Sequence, residues 1–171
     1  MLPFFLLKKP IVIALGFLFF IAPLQAQTPA QTNAETLIKP PPQRIASLNI
    51  CIDQLLWELV PHERLVSFSY LTANPMWSPI AGKVKGMPLN HGLAEEIVPL
   101  HPDIILAGEF DARDAISLLQ RLGARVERVA LPRTLDDIHQ QILQVGELVG
   151  VTDKAQQMSA RIAQQLNALK I

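Results

Sequence analysis

Residues 103–108 (DIILAG) constrain the fold more than any other stretch of this chain. Ile104, Ile105, Leu106 and Ala107 follow one another without polar alternation, so a strand built from them needs apolar cover on both faces. Parallel sheets sandwiched between helices supply that cover. The flanking sequence must therefore provide further strands and amphipathic helices.

It does. The runs at 44–48 (RIASL), 64–69 (RLVSFS) and 125–131 (RVERVAL) read as strands, the last polar enough for a sheet edge. Ile52, Leu55, Leu56 and Leu59 recur at helical spacing after the first of them, and Trp57 on the same helix is assigned to the core. Ile138, Ile142, Val145 and Val149 form a second helical stripe, and Ala155, Met158, Ile162, Leu166 and Leu169 a third. Residues 70–83 (YLTANPMWSPIAGK), with two prolines, read as a loop. Expected N-caps are Asn90 for the helix carrying Glu95 and Glu96, Asp111 for the one that stops at Gly123, then Thr134 and Thr152. The order strand, helix, strand, loop, helix, strand, helix, strand, helix predicts an α/β fold with a mostly parallel sheet flanked by helices.

Outside this pattern, residues 1–26 read as a cleavable export signal, with Lys8 and Lys9 ahead of an apolar core and Ala26 closing a small-residue site. Residues 27–43, rich in Gln, Thr, Ala and Pro, read as a flexible tether. One lobe is expected over 44–151, and the helix at 152–171 either packs on the sheet or leads into a second domain. The whole chain has 15 basic and 15 acidic residues; removing Lys8 and Lys9 leaves a formal charge of about −2, which argues against nucleic acid as a partner. Cys51, the single cysteine, allows no intramolecular disulfide and is expected to be buried and inert.

No Gly-rich phosphate loop, GxSxG, HExxH or CxxC motif is present. His62, His91, His101 and His139 are too scattered for a recognisable metal-ligand cluster. Ligands of open parallel sheets bind beyond the carboxyl ends of the strands. The segments emerging there bring Asn49, Tyr70, Trp77, Phe110 and Arg133 to one rim. An aromatic surface with a few polar groups and one cation suits a large, partly apolar ligand able to carry negative charge. Trp77 and Phe110 could instead simply pack over the sheet ends. The rival is a small periplasmic α/β enzyme using Asp53, Glu109 or Asp111 as acid or base, though no nucleophile or cofactor loop accompanies them. Glu95 and Glu96 are each favoured near a helix start by the dipole. Adjacent helical residues point about 100° apart, so the pair cannot serve one contact.

The segment GLAEEIVPLHPDIILAG, residues 92–108, resembles the LE-x-I-x-x-L-x-PD-hydrophobic signature of the periplasmic substrate-binding proteins for iron-siderophores and vitamin B12. The resemblance continues through RIASLNICIDQLL, LPRTLDDIHQQILQVGELVG and the helix from Thr152, covering residues 44–171. It implies a monomeric periplasmic solute-binding component of an ABC importer, which delivers an iron-siderophore or cobalamin-like corrinoid to an inner-membrane permease and catalyses nothing. The metal would arrive inside its chelate, so no cofactor is expected. Counting back from Pro102 and Asp103 places the family's permease-docking glutamate at Glu95, with Glu96 a solvated neighbour. In such proteins a second lobe follows the long helix. The resemblance thus implies an N-terminal lobe with its interlobe helix begun and the C-terminal lobe absent; a truncated lobe without function is the alternative.

Overall fold

The computed structural model describes residues 40–169; the export signal expected at 1–26, most of the stretch 27–43 and the last two residues lie outside them. Five strands form one sheet: β1 (Ile45–Ser47), β2 (Leu65–Ser69), β3 (Leu89–Asn90), β4 (Ile104–Gly108) and β5 (Val126–Val129). Their order is β3-β2-β1-β4-β5, and every pairing is parallel. Helices α1 (Ile50–Leu59), α2 (Ala94–Ile97), α3 (Arg113–Arg121), α4 (Leu135–Leu148) and α5 (Thr152–Ala168) complete the described lobe.

The uninterrupted apolar run of β4 explains the layering. Side chains alternate across a strand, so Ile104 and Leu106 enter one core with Ile52, Leu56 and Leu59 of α1, Ile142 and Val145 of α4, and Ala155 and Met158 of α5. Ile105 and Ala107 point the other way, to Ala94 and Ile97 of α2 and Ile116 and Leu119 of α3. All five β4 residues are buried, and β5, with its polar Glu127 and Arg128, forms an edge. Trp57 is half-buried against the first core, stacked on His62 with ring centroids 3.7 Å apart.

The Pro102-Asp103 pair at the head of β4 has a structural task. Asp103 Oδ2 accepts from the amides of Gln43 (2.7 Å) and Arg44 (2.9 Å), and the Arg44 guanidinium donates to the carbonyls of Leu100 and His101. Entry into β1 is thereby fixed to entry into β4, its parallel neighbour.

Several local expectations are corrected. Asn90 is not a cap: it ends β3, a two-residue strand beyond the expected loop that the sequence pattern did not mark. Its buried amide donates to the Ser47 carbonyl, the Ser67 hydroxyl and the Phe68 carbonyl at 2.8–2.9 Å. The helix carrying Glu95 and Glu96 is only four residues long and passes into a 3₁₀ turn at Val98–Leu100, which His101 ends in the left-handed conformation (φ 45°). Ala112, not Asp111, occupies the N-cap of α3, and Val151, not Thr152, that of α5; neither makes a side-chain cap. Thr134 does cap α4, in a reciprocal capping box with Asp137. Cys51 is exposed rather than buried, because the second residue of α1 faces away from the core.

Candidate functional site

Helix α1 follows β1 on one face of the sheet, whereas α3 follows β4 on the other. The connections therefore diverge between these two adjacent strands, opening the crevice in which doubly wound sheets place their ligands. Here the crevice mouth is bridged. Asn49, the N-cap of α1, accepts from the amides of Cys51 (3.0 Å) and Ile52 (3.4 Å) through Oδ1, while its Nδ2 donates to Asp111 Oδ1 at 3.2 Å. Asp111 Oδ2 in turn accepts from the Gly108 amide at 2.6 Å. A Cβ at 108 would overlap the Asn49 amide, so any larger residue must displace that side chain. Asn49 and Asp111 are thus committed to each other across the mouth.

The rim runs over the carboxyl ends of all five strands, four spacings of about 4.8 Å, or roughly 19 Å. At the β5 end lies an open hollow of about 410 Å³ lined by Glu109, Leu131, Pro132, Arg133, Asp137 and three glutamines. Arg133 is not an isolated cation: its guanidinium lies 3.6 Å from Glu109 Oε1. A small adjoining hollow is lined by Asn49, Cys51 and Phe110 together with Glu109 and Leu131. Phe110 is 76% exposed at its edge. Asn49, Phe110 and Arg133 consequently share one continuous surface.

Tyr70 stands elsewhere on the rim, and Trp77 follows it in the long connection to β3. Tyr70 leaves β2 in a 3₁₀ turn (Tyr70–Ala73) and stacks on His91, just beyond β3, with centroids 4.5 Å apart. Trp77 lies in the following loop, 64% exposed. Neither lines the hollows around Arg133. The rim residues are therefore distributed along the sheet rather than gathered in one pocket.

The turn bearing Tyr70 is anchored from below. Asp53, fully buried on α1, accepts from the Ser69 amide at 2.9 Å and the Thr72 hydroxyl at 2.5 Å through Oδ2, leaving Oδ1 without a partner among the described residues. Burial pushes this carboxyl up to about 8; the Asp111 charge raises it further, and the hydrogen bonds from Thr72 and Ser69 oppose the shift. Such a value would suit an acid or base, but the group is sealed from solvent and no substrate proton can reach it. The Cys51 thiol is also held above its ordinary value, chiefly by lost hydration and then by Asp53 and Asp111, so exposure does not make it a ready nucleophile.

The two glutamates of α2 divide sharply. Glu95 is exposed and enters none of the ion pairs among the described residues. Glu96 is not simply solvated: Oε2 accepts from the His91 amide at 2.6 Å, and Oε1 lies 2.9 Å from His91 Nδ1. Those bonds hold the Glu96 carboxyl below its usual range. Sequence reasoning missed His91 because its ring partners lie five residues downstream and on a neighbouring strand exit. The adjacent acidic pair was the only local signal.

A profile of the family described as periplasmic binding protein matches residues 45–170. Among curated proteins, the chain is 27% identical over 130 residues to the uncharacterized ABC transporter substrate-binding lipoprotein YvrC of Bacillus subtilis, covering 74% of this chain and 40% of that protein. It is 23% identical over 145 residues to a cobalamin-binding protein of Halobacterium salinarum, covering 82% and 38%. Among solved structures, the periplasmic heme-binding protein HutB of Vibrio cholerae superposes with a TM-score of 0.64 at 22% identity, covering 75% of this chain and 49% of that one. The chain thus spans about two fifths of the length of these curated relatives.

Proposed function

Because the chain belongs to the periplasmic binding protein family, a family of binding proteins rather than catalysts, we propose that it serves an ABC importer as the solute-binding component for a metal chelate. Its rim would hold one face of the chelate, in the periplasm, before delivery to an inner-membrane permease. The single observation that carries this reading is the exposure of aromatic rings in segments that leave the carboxyl ends of the parallel strands: Tyr70 at 47% and Trp77 at 64% after β2, and Phe110 at 76% after β4. Aromatic rings left in water at a sheet's binding edge suit a flat, partly apolar ligand. The names of the cobalamin-binding and heme-binding proteins that the chain resembles support the same class.

Within this reading Asn49 shapes the crevice mouth, Phe110 and Arg133 receive the ligand at the β5 end, and Tyr70 and Trp77 receive it toward β3. Glu95, exposed on α2, is the docking contact for the permease. Helix α5 is the connection toward a second lobe. The Glu109–Arg133 pair makes the β5 end close to neutral, which tempers the sequence-based expectation of an anionic ligand.

Tryptophan fluorescence tests the assignment. Aquocobalamin, ferric protoporphyrin and a ferric hydroxamate siderophore are titrated separately into the purified chain. Saturable quenching by at least one, lost in Trp77→Phe but kept in Trp57→Phe, is the expected result. Absence of quenching by all three in a folded sample would sink the chelate reading.

A further inference from the structure

Glu96 and His91 form an arrangement that the rim reading does not use. The β3 backbone that carries His91 into position is held by the Asn90 amide, which reaches Ser47, Ser67 and Phe68 on β1 and β2. Glu96 then grips His91 twice, through its backbone amide and through Nδ1. Tyr70 covers one face of the imidazole, the rings inclined by 26°. Backbone, ring edge and ring face are all fixed, although the side chain remains 60% exposed.

The chemistry of the grip sets the tautomer. A carboxylate only accepts, so the hydrogen bond at Nδ1 requires the proton on that nitrogen. In the neutral imidazole, Nε2 then carries the free lone pair, and it enters no hydrogen bond among the described residues. A carboxylate that fixes the tautomer and orientation of an imidazole is the arrangement found behind metal-ligating histidines. One histidine would not retain a free ion, which needs several ligands. A metal already chelated and short of one ligand needs no more than one.

On the premise that the rim holds a metal chelate, we propose that His91 Nε2 is an axial ligand to the metal of a planar tetrapyrrole bound there, with Glu96 as its positioning residue. The step is a ligand exchange: Nε2 donates its lone pair to the metal and an axial water leaves, with no proton transferred and no change of oxidation state. A hexadentate siderophore offers no open position, so His91 selects tetrapyrroles over coordinatively saturated iron chelates. Tyr70 backs the imidazole and, stacked on it within 26°, meets the macrocycle edge-on beside the metal.

The experiment records visible spectra of the chain with aquocobalamin and with ferric protoporphyrin, alongside quenching by a ferric hydroxamate. With wild type, one tetrapyrrole is expected to show the spectrum of a nitrogen-ligated metal. His91→Ala should revert it to the water-ligated form, and millimolar free imidazole should restore it. Glu96→Ala should weaken binding on the order of 10-fold or more with the nitrogen-ligated spectrum kept at saturation, whereas a docking role for Glu96 would leave affinity unchanged. A bound tetrapyrrole with a spectrum unaltered in His91→Ala overturns the assignment. Binding of the hydroxamate alone overturns it while leaving the chelate reading intact, and binding of none of the three removes both.

Discussion

The Asp53→Asn substitution isolates the buried carboxyl that supports the turn of Tyr70. Asp53 is raised from its ordinary 3.8 to about 8 in the folded chain, so between these values the folded state holds a proton that the unfolded state has released. Stability from this group is therefore greatest below pH 4 and declines as pH rises toward 8, at about 1.4 kcal/mol per pH unit. Between pH 5 and pH 8 the decline amounts to about 3.5 kcal/mol, flattening at the top as the folded-state carboxyl itself ionises. Asparagine keeps an acceptor for the Ser69 amide and the Thr72 hydroxyl and places an amide hydrogen where the acid would carry its proton. Urea unfolding of both proteins at pH 5, 6, 7 and 8 gives the comparison. The variant's stability relative to wild type should rise across that range by about 3 to 4 kcal/mol, whatever its offset at pH 5, because all other titrating groups are shared. A relative stability that stays flat from pH 5 to 8 would mean that Asp53 ionises normally in the folded chain and that burial does not govern it.

Two other substitutions probe the rim and the proposed docking face. Gly108→Ala should force the Asn49 amide away from Asp111, costing about 1 to 3 kcal/mol in urea unfolding and shifting the Asn49 side-chain amide signals in NMR; unchanged signals would show that the bridge tolerates a methyl group. Glu95→Ala, at an exposed site that enters no ion pair among the described residues, should leave chelate affinity unchanged and reduce stimulation of the permease's ATPase in proteoliposomes, and an equal loss of both would place Glu95 in the ligand site instead.

The sequence by itself determined the layers. An unbroken apolar run at β4 can be stable only between two helical faces, and periodicity marked α1, α4 and the first half of α5 as the helices that fill the first core, whereas Leu169 at the end of the α5 stripe is exposed. The Thr134 cap was legible too, because a capping box closes within four residues. Local signals failed where a polar side chain chose a distant partner. Asp111 carries the composition of a cap yet bonds back to Gly108 and across to Asn49. Asn90 likewise looks like a helix start, but spends its amide on β1 and β2. The pair Glu95 and Glu96 could be separated by helical geometry into two roles. That Glu96 grips an imidazole stacked on Tyr70 depended on β2 and β3 lying side by side. Apolar burial repeats with the period of the chain and can be read along it; hydrogen bonds are short and directional, and which groups come within reach is settled only when the strands are arranged side by side.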